Sequence, residues 1–221
     1  MYRSLRVAVV SVVAVALWTA TSSSASAQRR GFTRLFGVIT SVQLAQLDEV
    51  QADLKLTDEQ KGKVTTLNTD LSDERRAARE DANGDFDKMF KEIALLNAEF
   101  TKEFNELLDE TQRKRAHEIY LQANGAVALT DDAVAESLKV TDEQKQKLQQ
   151  SLAESRSKSR DSFQDFQSLS ETERDAKIAE MIKSRDDGLW AVVDEAQKKQ
   201  FEEMQGAKLE IDLSKLPGPG R

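Results

Sequence analysis

The chain has 221 residues, with 39 acidic and 32 basic side chains and no cysteine. The acidic balance argues against nucleic acid as a partner, because binding to phosphates requires a basic face. The lack of cysteine excludes disulfide bonds, a cysteine-linked lipid anchor and catalysis by a thiol, so stability has to come from packing of the chain itself.

The first 27 residues have the features of a cleavable signal peptide. Arg3 and Arg6 precede an apolar run over 7–18, and the small residues 25–27 predict cleavage before Gln28. The run is shorter than the roughly 20 residues that cross a bilayer, so an uncleaved anchor is the less favoured alternative. We therefore expect a periplasmic or otherwise exported protein whose mature chain does not span the membrane.

Composition after the leader predicts an all-α fold. The only prolines, Pro217 and Pro219, lie in the last five residues, and straight-chain helix formers are frequent. A first helix is expected over 41–54. It follows an apolar patch that predicts packing on the body or on a second subunit, with lipid contact as the alternative; the patch comprises Phe32, Leu35, Phe36, Ile39 and Val42.

A long helix is predicted over 58–81, and Asn83-Gly84 after it predicts a turn. An apolar stripe at three- and four-residue spacing then predicts a second long helix that folds back on the first as a hairpin. The stripe comprises Phe86, Phe90, Ile93, Phe100, Phe104 and Leu107. A short helix over 110–122 follows, and Asn124-Gly125 ends this part of the chain.

The rest of the chain repeats this plan. Between 48–63 and 132–147, ten of sixteen positions are identical at a shift of 84 residues. Because repeats fold as repeated units, we expect two tandem copies of a long-helix hairpin unit flanked by short helices. Repeat 1 with its amino-terminal segment covers 28–125, repeat 2 covers 126–206, and 207–221 is expected to be a flexible tail.

Capping boxes mark where helices begin. Four of them contain a glutamine, and a fifth pairs Ser170 with Glu173. In such a box the first residue accepts from a backbone N–H of the first turn, and the glutamine reaches back to the N–H of the first residue. The four glutamine boxes pair Thr57 with Gln60, Asp109 with Gln112, Thr141 with Gln144 and Asp194 with Gln197. They are typical of helix starts in any helical protein.

These boxes resemble the Leu-Thr-x-x-Gln motif of the Spy/CpxP-like periplasmic stress proteins. Residues 56–60 fit the motif, residues 140–144 have valine for leucine, and 108–112 and 193–197 have aspartate for threonine. The resemblance implies a small, curved, all-helical dimer. It also implies an ATP-independent chaperone for unfolded proteins, an adaptor of envelope-stress sensors or a metal-responsive protein.

Two basic clusters are the candidate partner-binding residues. They are Arg75, Arg76 and Arg79 on the first long helix and Arg156, Lys158 and Arg160 on its counterpart. In an acidic chain they would contact acidic segments of a client or of another subunit. The alternative is a solvated face with ion pairs such as Arg76 with Glu80. The serines of the second helix (Ser151, Ser155, Ser159 and Ser162) predict a side open to water or to a partner.

Other sites are disfavoured. His117 is the only histidine, which we interpret as a surface residue, and neither a Gly-x-Ser-x-Gly nucleophile motif nor a phosphate loop occurs. One histidine also makes a zinc site improbable. Residues 81–92 partly fit a calcium loop, but Phe86 stands where that loop requires glycine, so we interpret them as a hairpin turn.

The sequence thus favours an exported, non-catalytic helical binding protein that needs no cofactor. Unfolded or envelope proteins are its expected partners, and a homodimer is its expected assembly. The alternative is a structural or scaffolding envelope protein that associates with itself.

Overall fold

The computed structural model describes residues 37–162, 166 and 168–216, and all regular secondary structure within these residues is helical. The all-α prediction is confirmed. The nine α-helices of the described residues are α1 (Ser41–Leu44), α2 (Asp48–Asp53), α3 (Asp58–Ala82), α4 (Phe86–Glu106), α5 (Glu110–Asn124), α6 (Asp132–Ser137), α7 (Asp142–Asp161), α8 (Glu171–Trp190) and α9 (Glu195–Met204). Two short 3₁₀ helices cover Gly125–Thr130 and Leu213–Lys215.

Some predictions concern residues outside these ranges. The signal peptide, the cleavage site before Gln28, Phe32, Leu35, Phe36 and the two prolines fall there. Of the helices above, none combines the length and the apolar character that crossing a bilayer requires.

The single helix predicted over 41–54 is wrong, because the chain bends between α1 and α2. Ala45 ends α1, and Leu47 adopts an extended conformation before α2 begins. The bend lets apolar residues that would point to all sides of one straight helix enter the core together; they are Val42, Leu44, Ala45, Leu47 and Val50, each no more than 3% exposed. The Gln51 side-chain amide donates to the Ala45 carbonyl, which the bend leaves without a helical partner.

Helices α3 and α4 form the predicted antiparallel hairpin. Asn83 ends α3 in the left-handed conformation (φ 47°), and Gly84 (φ 88°) completes the turn. The apolar stripe of α4 is buried only near the base of the hairpin, at Phe100 and Phe104. Toward the turn it emerges, and Phe86 is 44% exposed.

Helices α7 and α8 form a second packed pair. The prediction that the serines of α7 face water or a partner is wrong, because Ser159 is buried and Ser151 lies against α8. A Cβ added at Gly188 of α8 would lie 3.0 Å from the Ser151 hydroxyl oxygen. Small side chains on both helices therefore let the two backbones approach closely.

The two halves share one hydrophobic core. The 3₁₀ helix Gly125–Thr130 joins them, and its residues from Ala126 to Leu129 are buried. The core is continuous from Ile39 in the first half to Phe201 in the second. The proposed boundary after residue 125 therefore lies inside the molecule and is not a solvent-exposed linker.

After α9 the chain runs back over the body, which differs from the expected free tail over 207–221. The side chains of Leu209, Ile211, Leu213 and Leu216 are partly buried against the core. The backbone N–H of Leu209 donates to Gln122 (2.9 Å), and that of Asp212 donates to Glu49 (3.0 Å). Residues 209–216, which we call the tail strap, are thus docked, and 217–221 lie outside the described residues.

Candidate functional site

The predicted capping glutamines join the beginnings of two helices in the first half. The Gln60 side-chain amide donates to the Leu107 carbonyl (2.8 Å) and to the side-chain oxygen of Gln112 (2.8 Å). The Gln112 amide donates to the Leu54 carbonyl (3.1 Å) and to the side-chain oxygen of Gln60 (3.2 Å). Each glutamine oxygen also accepts the backbone N–H of its own cap, Thr57 or Asp109.

The second half contains the same arrangement. The Gln144 amide donates to the Val192 carbonyl (3.1 Å) and to Gln197 (2.8 Å). The Gln197 amide donates to the Leu138 carbonyl (3.3 Å) and back to Gln144 (3.2 Å). Thr141 and Asp194 complete the two boxes. We call each reciprocal pair a glutamine clasp.

A clasp uses both N–H groups and the oxygen of each glutamine, so its polar side-chain atoms are satisfied within the protein. Glutamate could cap the helix but could not donate these bonds, which explains glutamine at all four positions. The clasps therefore hold helix starts together, and their bonding capacity is already used within the fold. The clasps occur at corresponding positions of the two similar sequence segments.

Lysines before the clasps adopt a strained conformation in both halves. Lys55 has φ 52° and Lys139 has φ 53°, where side-chain-bearing residues are uncommon. In each case the next residue donates to a carbonyl five positions back, from Leu56 to Gln51 (3.0 Å) and from Val140 to Ala135 (2.8 Å). Both short helices α2 and α6 thus end in a Schellman motif without the usual glycine.

The predicted basic residues divide into two groups in the structure. Arg75, Arg79 and Arg156 are half-buried, whereas Arg76, Lys158 and Arg160 are exposed. Arg76 pairs with Asp73 (3.0 Å) and not with Glu80 as predicted, since the carboxylate one turn earlier is within reach. Arg76 and Lys158 therefore belong to the solvated face that the sequence offered as the alternative.

Arg75 and Arg79 lie together on α3 with little compensation for their charge. Burial and, to a smaller extent, the neighbouring Arg79 cation lower the pKa of Arg75 to about 10. The Arg75 guanidinium donates to a neutral acceptor, the side-chain oxygen of Asn97 on α4. No carboxylate among the described residues forms an ion pair with either arginine.

Arg156 and Arg160 of α7 cover two phenylalanines near the turn of the first hairpin. The Arg156 guanidinium carbon lies 4.4 Å from the centre of the Phe90 ring, and that of Arg160 lies 5.4 Å from the centre of the Phe86 ring. Both distances are within the range of cation–π attraction. The Arg156 Nε is buried and has no hydrogen-bond partner in the described structure.

Burial lowers the pKa of Arg156, and so does the Arg185 cation, whereas Asp87 acts in the opposite direction. Arg185 is itself only 6% exposed and is held by Asp186 (2.7 Å). The second hairpin thus brings an additional buried cation toward α7. We call Arg75, Arg79, Arg156 and Arg160, with Phe86 and Phe90, the arginine–phenylalanine surface.

Sequence reasoning found the arginines of this surface but assigned the phenylalanines to a buried stripe. It also did not identify Arg185. The available signal for Phe86 and Phe90 was their position beside the Asn83-Gly84 turn, where a hairpin has the fewest neighbours to bury a side chain.

His117 differs from the predicted surface residue. It is half-buried, and its ring stacks on that of Tyr120 with 6.2 Å between centres. Burial lowers the pKa of His117, while Asp131 and Glu118 act to raise it. In the segment considered for calcium, Asp85 instead caps α4 by accepting from Lys88 (3.0 Å). Residues 37–162, 166 and 168–216 contain no group of three or more acidic or histidine side chains arranged to hold a metal ion.

No protein-family model, curated protein or solved structure matches this chain.

Proposed function

We propose that this chain is an exported, non-catalytic binding protein that holds segments of other polypeptides at the arginine–phenylalanine surface. The leader and the Leu-Thr-x-x-Gln-like boxes support export and a chaperone or stress-adaptor role. The observation that carries the proposal is that Arg156, half-buried and without an ion-paired carboxylate among the described residues, lies over the ring of Phe90. Arg160 lies over the exposed ring of Phe86.

Such a surface favours acidic, apolar segments as ligands. A desolvated guanidinium without an anion is unfavourable, and a charge-assisted hydrogen bond to a carboxylate contributes about 1.5–3 kcal/mol. The Nε of Arg156 is buried without a hydrogen-bond partner in the described structure. The exposed guanidinium of Arg160 offers donors for such a bond. The face of Phe86, which is 44% exposed, offers apolar contact next to it. An unfolded protein supplies both kinds of group in an adaptable arrangement.

The experiment compares two double variants that each remove two positive charges from α3 and α7. R79A/R160A changes the arginine–phenylalanine surface, and R76A/K158A changes solvated neighbours on the same helices. The mature protein should suppress aggregation of a reduced client without ATP. R79A/R160A should weaken client binding about tenfold, because one lost charge-assisted bond contributes about 1.5–3 kcal/mol.

R76A/K158A should bind like the wild type. Equal weakening by both double variants would show that net charge matters and that the surface does not. A wild-type protein that fails to suppress aggregation at several-fold molar excess would remove the chaperone role itself.

The alternative, a scaffolding protein that associates with itself, is favoured by exposed apolar residues on α4. Leu95 is 62% exposed and Phe86 is 44% exposed. Light scattering tests it with L95E and the matched variant A94E, which adds the same charge at an exposed neighbour. Assembly that grows with concentration and is lost only in L95E would support self-association, whereas a monomer at high concentration would count against it.

A further inference from the structure

The tail strap lies on the body in a way that defines a binding groove. Along residues 209–213 burial alternates strictly, with Leu209, Ile211 and Leu213 half-buried and Glu210 and Asp212 exposed. This period of two is that of an extended segment with one face against the protein. It is unlike the rest of the described chain, which is almost entirely helical.

Side chains of the body hold the backbone of this segment and of the residues leading to it. The Gln122 amide donates to the carbonyls of Gln205 (2.6 Å) and Ala207 (2.8 Å), and its oxygen accepts the Leu209 N–H (2.9 Å). Arg115 also donates to the Ala207 carbonyl (2.7 Å). Glu49 of α2 accepts the Asp212 N–H (3.0 Å).

These hydrogen bonds are made to backbone atoms, which every polypeptide has. The apolar side chains contribute through their alternate spacing and not through their identity. The groove between α2 and α5 therefore selects an extended segment with apolar residues at alternate positions, whatever its detailed sequence. Arg115 is itself held in place, because it is paired with Asp53 (2.5 Å) and Glu118 (2.9 Å).

The turn that brings the strap into the groove depends on Gly206. Its φ is +60°, and a Cβ at this position would collide with the Glu118 carboxylate. The strap follows α9 after this turn, and a segment on so short a connection has an effective concentration on the order of millimolar. A client segment in solution therefore competes with a tethered occupant.

We propose that the groove formed by Glu49, Arg115 and Gln122 binds extended apolar segments of unfolded proteins and that the tail strap occupies it as an internal competitor. This goes beyond the proposed function, because it names a second surface and a device that limits access to it. Release of the strap opens the groove, and its return displaces a weakly held segment.

Two full-length variants release the strap by different means. L209S/I211S/L213S removes its apolar anchors, and G206A destabilises the turn, because the alanine Cβ would collide with the Glu118 carboxylate. The probe is a fluorescein-labelled peptide with the sequence of residues 207–216, and the control probe has the same composition with its apolar residues placed side by side. Fluorescence anisotropy should show that both variants bind the probe at least about tenfold more tightly than the wild type, as expected when a tethered competitor is removed.

Adding Q122A to the triple variant should remove the gain, and the control probe should bind no variant. Equal probe binding by the wild type and by helical, monomeric variants would overturn the proposal. A wild type that is dimeric, with a triple variant that is monomeric, would also overturn the proposal, because the strap would then join two copies of the chain.

If both variants unfold, hydrogen exchange in the wild type tests the proposal instead. Excess unlabelled peptide should accelerate exchange at the Leu209 and Asp212 amides, and unchanged exchange at saturating peptide would refute the proposal. Aggregation assays on the same samples separate the two proposals. Protection of the client without probe binding would refute only the proposal about the groove. Probe binding without protection of the client would refute only the chaperone role.

Discussion

The two hairpins are alike at their bases, where the glutamine clasps lie, and different along their shafts, by which we mean the paired long helices α3 with α4 and α7 with α8. Both bases carry a glutamine clasp with corresponding donors and acceptors. Along the shafts, the buried pair Phe100 and Phe104 of α4 corresponds at a shift of 85 residues to Arg185 and Leu189 of α8, which are equally buried. Only the first hairpin is packed by aromatic rings at these positions.

The comparison shows which part of the unit is constrained. Hydrogen bonds at the base require one residue type in one orientation, so glutamine recurs in all four places. Packing along a shaft requires volume and a partner for any charge, and different residues meet that requirement. The cation Arg185 is accommodated because Asp186 lies beside it (2.7 Å). The freedom of the shafts explains why the proposed binding surface has no symmetric second copy.

The largest expected effect tests the shafts. F104A should lower the free energy of unfolding by about 3–5 kcal/mol and L189A by about 2–5 kcal/mol, because both side chains are fully buried and the phenylalanine leaves the larger cavity. Urea unfolding of the two variants measures the difference. A larger loss for L189A would show that the second shaft carries more of the stability than its smaller side chain indicates.

The next effect tests whether the bases are equivalent. Q60E and Q144E keep an acceptor for the cap but lose the amide donors, so each should cost about 1–3 kcal/mol through unsatisfied carbonyl and amide groups. Because the two clasps have the same bonds, the two losses should agree closely in urea unfolding. Glutamate that is tolerated at both positions would reduce the clasp to an ordinary helix cap.

A smaller effect of opposite sign is expected where the short helices end. K55G and K139G should each stabilise the protein by about 1 kcal/mol, because glycine adopts the left-handed conformation without steric cost. K63G, inside α3, is the control and should destabilise by a similar amount. Thermal unfolding measures all three. A destabilised K139G beside a stabilised K55G would show that the two motifs are not equivalent.

The smallest effect distinguishes the halves by pH. Burial lowers the pKa of His117 below 6.5, so the unfolded chain binds more protons in the window just below that value, and stability falls as the pH drops through it. The counterpart at a shift of 85, Glu202, is exposed. H117N should therefore lose less stability than the wild type between about pH 7.5 and pH 5.5 in urea unfolding. Identical losses would show that the half-burial of His117 has no effect on protonation.

The sequence predicted features that depend on neighbouring residues. The capping boxes, the turn at Asn83-Gly84 and the bounds of α3 depend on residues within a few positions, and the structure has them as expected. The bond between Gln60 and Gln112 joins residues 52 positions apart, so the pattern of each box could not reveal it.

The remaining features depend on tertiary contacts. The bend at residues 45–47 follows from a core that accepts side chains from every side of the predicted helix. The exposure of the Phe86 side chain depends on how far the second hairpin covers the first. The alternation of residues 209–213 was visible in the sequence, but its meaning depends on a groove built by distant helices. The basic residues looked equivalent in sequence, and only their neighbours separate Arg79 from Arg76.

The buried 3₁₀ helix between the halves has a consequence for how this molecule tolerates insertions and deletions. Its side chains from Ala126 to Leu129 fill space that neighbouring helices enclose, so an added or lost residue there would shift every later helix against the core. The exposed turn at Asn83-Gly84 imposes no such restriction, since a hairpin can lengthen into solvent by whole turns. Related chains should therefore differ in the reach of their hairpins while keeping the length of this central connection.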